Sequence, residues 1–326
     1  MGNFLSCDWG TSSFRIRLAD AVTGKVLAEE ISGTGIAATF ESWNATGDEG
    51  EEKRTAFYLN IINDHIKKLE AKANCPLNGV KEIISGMAAS SIGLINLSYN
   101  LLPLDVNNPV IQTAFIPANG NFDHDIWLLS GIKSDDDVMR GEETQLIGCI
   151  DPSRTINNEL FVFPGTHSKH ISVKDNKIVA IKTFMTGDLF DLLSQKSMLN
   201  TSVEKSTLDE TTHLNAFKKG VKDTLDTNLL HSIFKVRINH LLELANKKEN
   251  FNYLSGLLIG TELKDLKATD VSQINLVCSS NLVNYYEAAL AELNLSTPVR
   301  TFRPGWVDEA VVRGQLKIAN HLNLLA

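Results

Sequence analysis

Two short turns in this chain carry the residue types that hold phosphate: Asp8-Trp9-Gly10-Thr11-Ser12-Ser13 and Pro164-Gly165-Thr166-His167-Ser168-Lys169. A phosphate group is bound by several backbone N–H groups pointing inward with no side chain in the way. Gly10 and Gly165 permit that approach and the unusual backbone angles it needs, and the Thr and Ser hydroxyls add donors. Asp8 ends an apolar run, where its carboxylate can hold Mg²⁺ through water, because magnesium takes few carboxylates and several waters. Lys169 adds a cation to the second turn. Either turn alone also fits an ordinary hairpin. Their recurrence in matching strand-turn-strand contexts favours a common role, in which one turn from each of two domains clamps a polyphosphate across a cleft.

A third segment, Met139-Arg140-Gly141-Glu142-Glu143-Thr144-Gln145, opens a helix shortly before the second turn. Carboxylates at a helix N-terminus are favoured by the helix dipole, so simple capping explains them. The chemical reading is a base that accepts a hydroxyl proton during phosphoryl transfer. Arg140 is either a surface cation or a partner for an anion. Competing motifs fail. No Gly-x-x-x-x-Gly-Lys-Ser/Thr occurs. Gly33-Thr34-Gly35-Ile36-Ala37-Ala38 only loosely fits a dinucleotide fingerprint and follows a third meander strand, so it is discounted. His167 and His170 flank a lysine, an unattractive metal site. The acidic run Asp135-Asp136-Asp137 reads as a solvated loop or cap.

These residues need elements to hold them. Phe4–Cys7 reads as a strand, Phe14, Ile16 and Leu18 alternate as a second, and Lys25–Ala28 forms a third. The same grammar returns in strands at Leu160–Phe163, His170–Val173 and Ile178–Ile181. Aligning Gly10-Thr11 with Gly165-Thr166 superposes the two segments without gaps through the second strand. A repeat separated by half the chain implies two related domains. Trp43–Arg54 reads as a loop, followed by an amphipathic helix with Tyr58, Ile62, Ile66, Leu69 and Ala73 on one face. Val80–Ile84 and Ile126–Leu129 read as strands, and Asn200–Thr212 as a polar connection. Helices are expected over Ile233–Ala245 and Phe251–Leu263. A strand at Ile274–Cys278 leads to Ser279-Ser280-Asn281, which can cap the next helix. The last helix, after Arg303-Pro304-Gly305, carries Val307, Val311, Gly314, Ile318 and Leu322 on one face.

Composition narrows the class. At roughly 150 residues per domain, 326 residues imply two domains. With 43% hydrophobic and 21% charged residues the chain is an ordinary globular one, which argues against extensive disorder. A net charge of −8 argues against a nucleic-acid partner. Cys7, Cys75, Cys149 and Cys278 show no zinc spacing and read as reduced thiols. No apolar run is long enough for a membrane helix and no secretory signal is visible, so the expected location is the cytoplasm. Met1-Gly2-Asn3-Phe4-Leu5-Ser6 fits an N-myristoylation pattern, but the core strand beginning at Phe4 leaves almost no free arm. The sequons at Asn44, Asn96, Asn200 and Asn294 say nothing without a secretory signal.

Two turns with a carboxylate-opened helix before the second resemble the duplicated fold of actin, hexokinase, the heat-shock chaperone ATPases and the sugar kinases. Further segments resemble the 2-dehydro-3-deoxygalactonokinase family. They are Ile84-Ser85-Gly86-Met87, Tyr99-Asn100-Leu101 with Pro103, Val138 to Gly148, Pro164 to Lys169, Met185-Thr186-Gly187-Asp188 and Leu254 to Gly260. The likeness runs from the first strand to the final helix. It implies an α/β chain of two ribonuclease H-like (actin-like ATPase) domains with an interdomain cleft. The expected domains are 1–138, with the first phosphate loop and sugar-acid side, and 139–326, with the second loop and adenosine side. The last helix, 306–326, is free to pack back on the first domain.

The activity this resemblance implies is ATP-dependent phosphorylation of the 6-hydroxyl of 2-dehydro-3-deoxy-D-galactonate, with ATP and Mg²⁺ as cofactors. Asp8 then takes the Mg²⁺-side role. Gly10, Thr11, Ser12 and Ser13 form the first phosphate loop, and Gly165, Thr166, His167, Ser168 and Lys169 the second. Glu142 falls at the catalytic position, with adjacent Glu143 as the alternative. Gly86, Met87, Ser90 and Ser91 lie on the sugar-acid side. Gly256, Gly260, Ser279, Ser280 and Asn281 line the adenosine side. Ser91 departs from the family, many of whose members carry a larger residue there, often arginine. Arg15 or Arg140 is then expected to anchor the substrate carboxylate. Rival readings are a kinase for the gluconate epimer or another sugar acid, a phosphatase, and a nucleotide-dependent binding switch. No nucleic-acid or membrane partner is expected, and a homodimer is left open.

Overall fold

The computed structural model describes residues 2–278 and 280–325. The first elements are β1 (Asn3–Trp9), β2 (Phe14–Asp20), β3 (Val26–Ser32), α1 (Ile36–Ala45), α2 (Glu51–Ala73), β4 (Glu82–Gly86), β5 (Asn100–Leu101) and β6 (Leu104–Asp105). Next come β7 (Thr113–Ile116), β8 (Ile126–Leu129), β9 (Ile132–Lys133), β10 (Val138–Met139), α3 (Glu142–Cys149), β11 (Asn158–Phe163), β12 (Ser168–Lys174) and β13 (Lys177–Phe184). The chain continues through α4 (Thr186–Asp191), α5 (Thr211–Asp226), α6 (Leu229–Leu241), α7 (Lys247–Leu263), β14 (Gln273–Leu276), α8 (Ser280–Leu293), β15 (Val299–Thr301), α9 (Pro304–Asp308) and α10 (Ala310–Leu322).

These elements form two compact units. One comprises Met1–Ile156, Val173–Ile181 and Gly305–Ala326; the other comprises Asn157–Ser172 and Lys182–Pro304. The division differs from the expected one at residue 138, because α3 stays with the first unit and packs on α10. Two glycines allow that crossing: a Cβ at Gly148 would lie 1.7 Å from the Ala310 carbonyl oxygen, and one at Gly314 would lie 1.8 Å from that of Thr144.

The sheet of the first unit runs β3-β2-β1-β4-β8-β7. β1–β2 and β2–β3 are antiparallel, while β1–β4 and β4–β8 are parallel. The order β13-β12-β11-β14-β15 repeats this pattern, with β11–β14 and β14–β15 parallel. Shifting β1 by the 155 residues that separate Gly10 from Gly165 lands it on 158–164, where β11 occupies Asn158–Phe163. The same three-stranded meander, continued by two parallel strands, is thus present twice. The duplicated α/β architecture expected from the repeat is borne out.

In the first unit, Tyr58, Ile62, Ile66 and Leu69 of α2 form the apolar stripe that their spacing predicts. They bury against Leu5, Cys7, Trp9, Phe14 and Ile16 of the sheet. Such burial stabilises by about 2 kcal/mol for each large side chain. Two expectations fail nearby. α1 was not anticipated, because its buried stripe is only Ile36, Thr39 and Trp43. α2 starts at Glu51, inside the expected loop.

In the second unit, Leu160, Val162, Ile274 and Leu276 of the sheet pack with Phe217, Val221, Ile259, Leu263, Tyr286 and Leu290 from the helices. α5 was also unanticipated: its sequence is rich in lysine and carries Gly220. That glycine has a packing role, since a Cβ there would lie 2.3 Å from the Tyr253 carbonyl oxygen of α7. α6 begins four residues earlier than the expected Ile233. The single helix expected after Gly305 is interrupted between Asp308 and Ala310.

Candidate active site

Asp8 and Gly86 end the neighbouring parallel strands β1 and β4, in register as Asp8↔Ser85 and Trp9↔Gly86. Gly86 has φ +92°, a left-handed conformation that favours glycine. Its missing side chain also makes room, because a Cβ there would lie 2.7 Å from the Trp9 carbonyl oxygen and 3.4 Å from Asp8 Oδ1. Gly141, at φ +106°, comes up against the same point: its Cβ would lie 3.2 Å from Gly86 Cα. The two strand ends and the start of α3 therefore converge around the Asp8 carboxyl. From behind, Gln315 of α10 donates its Nε2 to the Cys7 carbonyl and Ser85 Oγ, both at 2.8 Å. Burial pushes the Asp8 carboxyl up, while Arg15 and Arg17 pull it the other way. Arg15 is its cross-strand partner.

The first turn is closed by Gly10 N–H donating to Ser13 C=O at 2.9 Å. Thr11 and Ser12 are exposed and Ser13 is half-buried. The start of α1 braces it: Ile36 N–H donates to Gly10 C=O at 2.9 Å and Ala37 N–H to Thr11 C=O at 3.2 Å. Gly35 permits this contact, since a Cβ there would lie 2.3 Å from the Thr11 carbonyl oxygen. Gly35, Gln315 and Arg54 were not singled out from sequence. For Gly35 the signal was present, in the Gly-Thr-Gly discounted as a dinucleotide motif.

The two carboxylates opening α3 have different surroundings. Glu143 is 1% exposed and folds back so that both oxygens accept from Gly141 N–H at 2.9 Å. Thr144 Oγ1 donates to it at 3.3 Å. Burial, with the Glu142 charge adding to it, pushes the Glu143 carboxyl up to about 8. Glu142 is half-buried, and its Oε2 accepts from Arg140 N–H at 3.2 Å.

Arg140 is not a surface cation. It is buried, donates to the carbonyls of Ala89 and, at 3.1 Å, Leu97, and stacks 4.2 Å from the Tyr99 ring centroid. It thereby pins the segment after β4. Within that segment Met87–Ala89 form a 3₁₀ turn. Ser90 is buried and donates its hydroxyl to Met87 C=O at 2.7 Å, whereas Ser91 is exposed. Arg54 reaches the Ser91 carbonyl at 3.1 Å, bringing a further cation to this position.

In the second turn Thr166 and His167 are exposed, whereas Ser168 and Lys169 are buried. Lys169, expected to add a cation to the phosphate turn, is buried and donates its Nζ to Thr183 Oγ1 of the same hairpin at 2.7 Å. Gly165 N–H makes a long 3.4 Å hydrogen bond to Ser168 Oγ, which lies 3.0 Å from Tyr286 Oη. His167 Nε2 stands 3.9 Å from Asp188 Oδ2. Gly256 and Gly260 are buried in α7 against α5, where Cβ atoms would lie 2.1 Å from the Phe217 carbonyl oxygen and 2.8 Å from Val221 Cα. These two residues, expected on the adenosine side, serve that helix crossing. Ser279, with the side chains of Ser280 and Asn281, lies outside the described residues.

The model of the 2-keto-3-deoxy-galactonokinase family matches residues 8–318. The chain belongs to this family. A Rhizobium meliloti protein assigned as a 2-dehydro-3-deoxygalactonokinase, the same sugar acid under another name, is 32% identical over 96% of this chain and 95% of its own length. The Escherichia coli 2-dehydro-3-deoxygalactonokinase is 32% identical over 64% of this chain and 69% of its own. A crystal structure of a Sinorhizobium meliloti protein assigned to the same activity superposes with a TM-score of 0.80 at 30% identity, covering 99% of this chain and 98% of that one. The ADPNP-bound activator of 2-hydroxyisocaproyl-CoA dehydratase from Clostridium difficile shares the fold, with a TM-score of 0.51 at 12% identity over 99% of this chain and 96% of that one.

As a member of the 2-keto-3-deoxy-galactonokinase family the protein is a sugar-acid kinase that uses ATP. Among the described residues no three His, Cys, Asp or Glu side chains form an all-protein metal cage. Magnesium that arrives with a nucleotide needs only one or two carboxylates, with phosphate and water completing its shell. Asp8 fits that requirement, because the hydrogen of Gly86 leaves open the space beside Oδ1 that a Cβ would fill. Among the described residues no helix is long and apolar enough to cross a membrane.

Proposed function

We propose that this family member acts in the cytoplasm and transfers the γ-phosphoryl group of ATP to the 6-hydroxyl of 2-dehydro-3-deoxy-D-galactonate, with Glu142 as general base. The observation that carries the residue assignment is the unequal pair at the start of α3. Adjacent carboxyls in different environments take different roles. Glu143 is buried and folded back onto Gly141 N–H, committed to the start of its own helix. Glu142 is the half-buried member, and it directly follows Gly141, which abuts Gly86 at the end of β4.

Glu142 takes the hydroxyl proton as the oxygen attacks phosphorus. Asp8 would hold magnesium through water, and the metal would supply charge neutralisation for the transferring phosphoryl group. The backbone N–H groups of Thr11–Ser13 and of Thr166 and His167, with the exposed hydroxyls of Thr11, Ser12 and Thr166, donate to phosphate oxygens. Arg15 is the anchor for the substrate carboxylate, because Arg140 is committed to two backbone carbonyls.

The test is ADP release with a panel of sugar acids: both C4 epimers of 2-dehydro-3-deoxyhexonate, ordinary hexoses, and water alone. Strong preference for the galactonate epimer is expected. Preference for the gluconate epimer would keep the mechanism and change the substrate, and turnover indifferent to sugar acid would overturn the kinase reading. Glu142→Gln should lower kcat by about a thousandfold with little change in either KM. Glu143→Gln should stay within about tenfold of the parent. The reverse ranking would exchange the two roles.

A further inference from the structure

The second turn rests on a buried carboxylate that none of the assignments above uses. Glu262, near the end of α7, is 2% exposed. A buried carboxylate is costly unless it is hydrogen-bonded on several sides. Glu262 meets that condition with groups from three other elements. His170 Nε2 of β12 stands 3.1 Å from Oε1, Tyr286 Oη of α8 donates to Oε2 at 2.7 Å, and Thr186 Oγ1 of α4 donates to Oε2. Both sides of the second turn are reached from here.

The donor directions are determined by the carboxylate, which can only accept. The Tyr286 proton goes to Glu262. Burial, and then the Glu262 charge, pushes the Tyr286 phenol well up, so it remains a donor. The Tyr286 oxygen is then left to accept from Ser168 Oγ at 3.0 Å. The Ser168 proton being used there, its lone pair faces Gly165 N–H, at 3.4 Å. A directed chain, Gly165 to Ser168 to Tyr286 to Glu262, thus runs from the first residue of the turn to α7.

On the other side, Gly187 N–H and Asp188 N–H donate to Thr166 C=O at 3.1 and 3.0 Å. Gly187 allows this approach: a Cβ there would lie 2.7 Å from the Gly165 carbonyl oxygen. α4 has no fully buried residue, and its apolar anchorage is the part-buried pair Leu189 and Phe190 against the cluster around Tyr253, Leu254 and Leu257. Its polar tie to the interior is Thr186 on the same Glu262 oxygen that accepts from Tyr286.

We propose that Glu262 is a positioning residue for nucleotide phosphate: through Tyr286–Ser168 and through Thr186 it sets the backbone of Gly165–Ser168 from both sides. The proposal rests on the reading of this turn as a phosphate loop. Glu262 does not touch the ligand. Its contribution is a turn whose N–H groups are already aimed, which lowers the ordering cost of binding.

The test measures ADP affinity by titration calorimetry, so that it does not depend on sugar-acid turnover. The variants are Glu262→Gln, Glu262→Asp and Tyr286→Phe, with melting temperatures read alongside. Glu262→Gln keeps the shape but places an amide N–H₂ against donors. It should weaken ADP binding about tenfold, the worth of one or two hydrogen bonds, while leaving the KM for sugar acid unchanged. Tyr286→Phe breaks the chain at its middle and should weaken ADP binding severalfold. Combined with Glu262→Gln it should add less than its own effect, because the chain is already cut. Glu262→Asp retains an acceptor and should recover part of the loss.

Unchanged ADP affinity in folded Tyr286→Phe would overturn the proposal even if Glu262 variants fail to fold, as would full additivity of the two effects. If the parent protein binds ADP but turns over no sugar acid, the kinase reading fails while the affinity shifts still decide the role of Glu262. If the parent binds no nucleotide, both are overturned.

Discussion

The two hydroxyl-rich turns are built alike and held differently. Each is braced by the first N–H groups of a helix donating into turn carbonyls. α1 does this for Gly10 and Thr11, and the start of α4 does it for Thr166. Each brace has a glycine, Gly35 or Gly187, whose Cβ would strike the turn. The difference lies in what holds the brace. α1 buries Ile36, Thr39 and Trp43 in its own core, whereas α4 buries none of its residues fully. The first turn is thereby fixed by apolar packing transmitted through backbone. The second combines the part-buried packing of Leu189 and Phe190 with a hydrogen-bonded chain of side chains ending at Glu262. A duplicated fold preserves the geometry of a site, and each copy finds its own means of stabilising it.

The comparison breaks most severely at Gly35. A Cβ there would lie 2.3 Å from the Thr11 carbonyl oxygen and 2.5 Å from the Ser12 Cα, all rigid backbone. Gly35→Ala should cost about 3 kcal/mol of stability. It should also lower kcat/KM about a hundredfold, because a shift of about an ångström in a positioned group has that effect. The same substitution at Gly187 meets its nearest atoms at 2.7 Å rather than 2.3 Å and should be milder. Thermal melts and steady-state kinetics on the pair would check the ranking, and equal damage at both sites would remove the distinction.

An effect of opposite sign comes from another buried glutamate. Glu82 opens β4 and is fully buried like Glu262, yet neither of its carboxyl oxygens has a hydrogen-bond partner. Burial pushes its carboxyl up to about 8. The folded state then holds a proton that the unfolded chain releases from about pH 4.5 upward. The stability this group supports is complete below that value and falls as pH rises to about 8. Each pH unit in the window is worth about 1.4 kcal/mol at most. Glu82→Gln should therefore melt higher than the parent at pH 8 and equally at pH 4.5. Glu143, raised to a similar value, should leave a residual slope in the variant. Melting curves across this range decide the matter, and a variant less stable than the parent at pH 8 would mean that Glu82 has a partner after all.

How much of this was legible in the sequence follows from the range of the interactions. The repeat of strand, glycine turn and strand is local, and alternation with turn residues revealed it. The two turns, Asp8 and the carboxylates of α3 were found in this way. α1 and α5 were missed because one has a stripe of only three buried residues and the other carries lysines and a glycine. Lys169 was read as a phosphate-binding cation because a lysine in a hydroxyl-rich turn suggests that role, whereas its Nζ donates to Thr183 Oγ1 within the hairpin. Gly256 and Gly260 were carried over as ligand-lining residues, although glycines four apart on a helix also mark a close crossing. Glu262 and Tyr286 carried no signal for this role. Their meaning depends on contacts with residues 24 to 118 positions away along the chain, and no spacing rule reaches that far.

The finest probe of the difference between the turns is a pair of serine deletions. Ser168 is fully buried, and its hydroxyl is the link between Gly165 N–H and Tyr286 Oη. Ser168→Ala leaves Tyr286 still donating to Glu262 but removes the last step to the turn, so it should cost about 1 kcal/mol. Ser13 closes the first turn with its carbonyl, which accepts from Gly10 N–H at 2.9 Å and survives any change of side chain. Ser13→Ala should therefore stay within about 0.5 kcal/mol of the parent. Differential scanning calorimetry on the two variants reads the contrast directly. A larger loss at Ser13 than at Ser168 would mean that the first turn, too, depends on a side-chain tie, and the division between backbone and side-chain bracing would have to be abandoned.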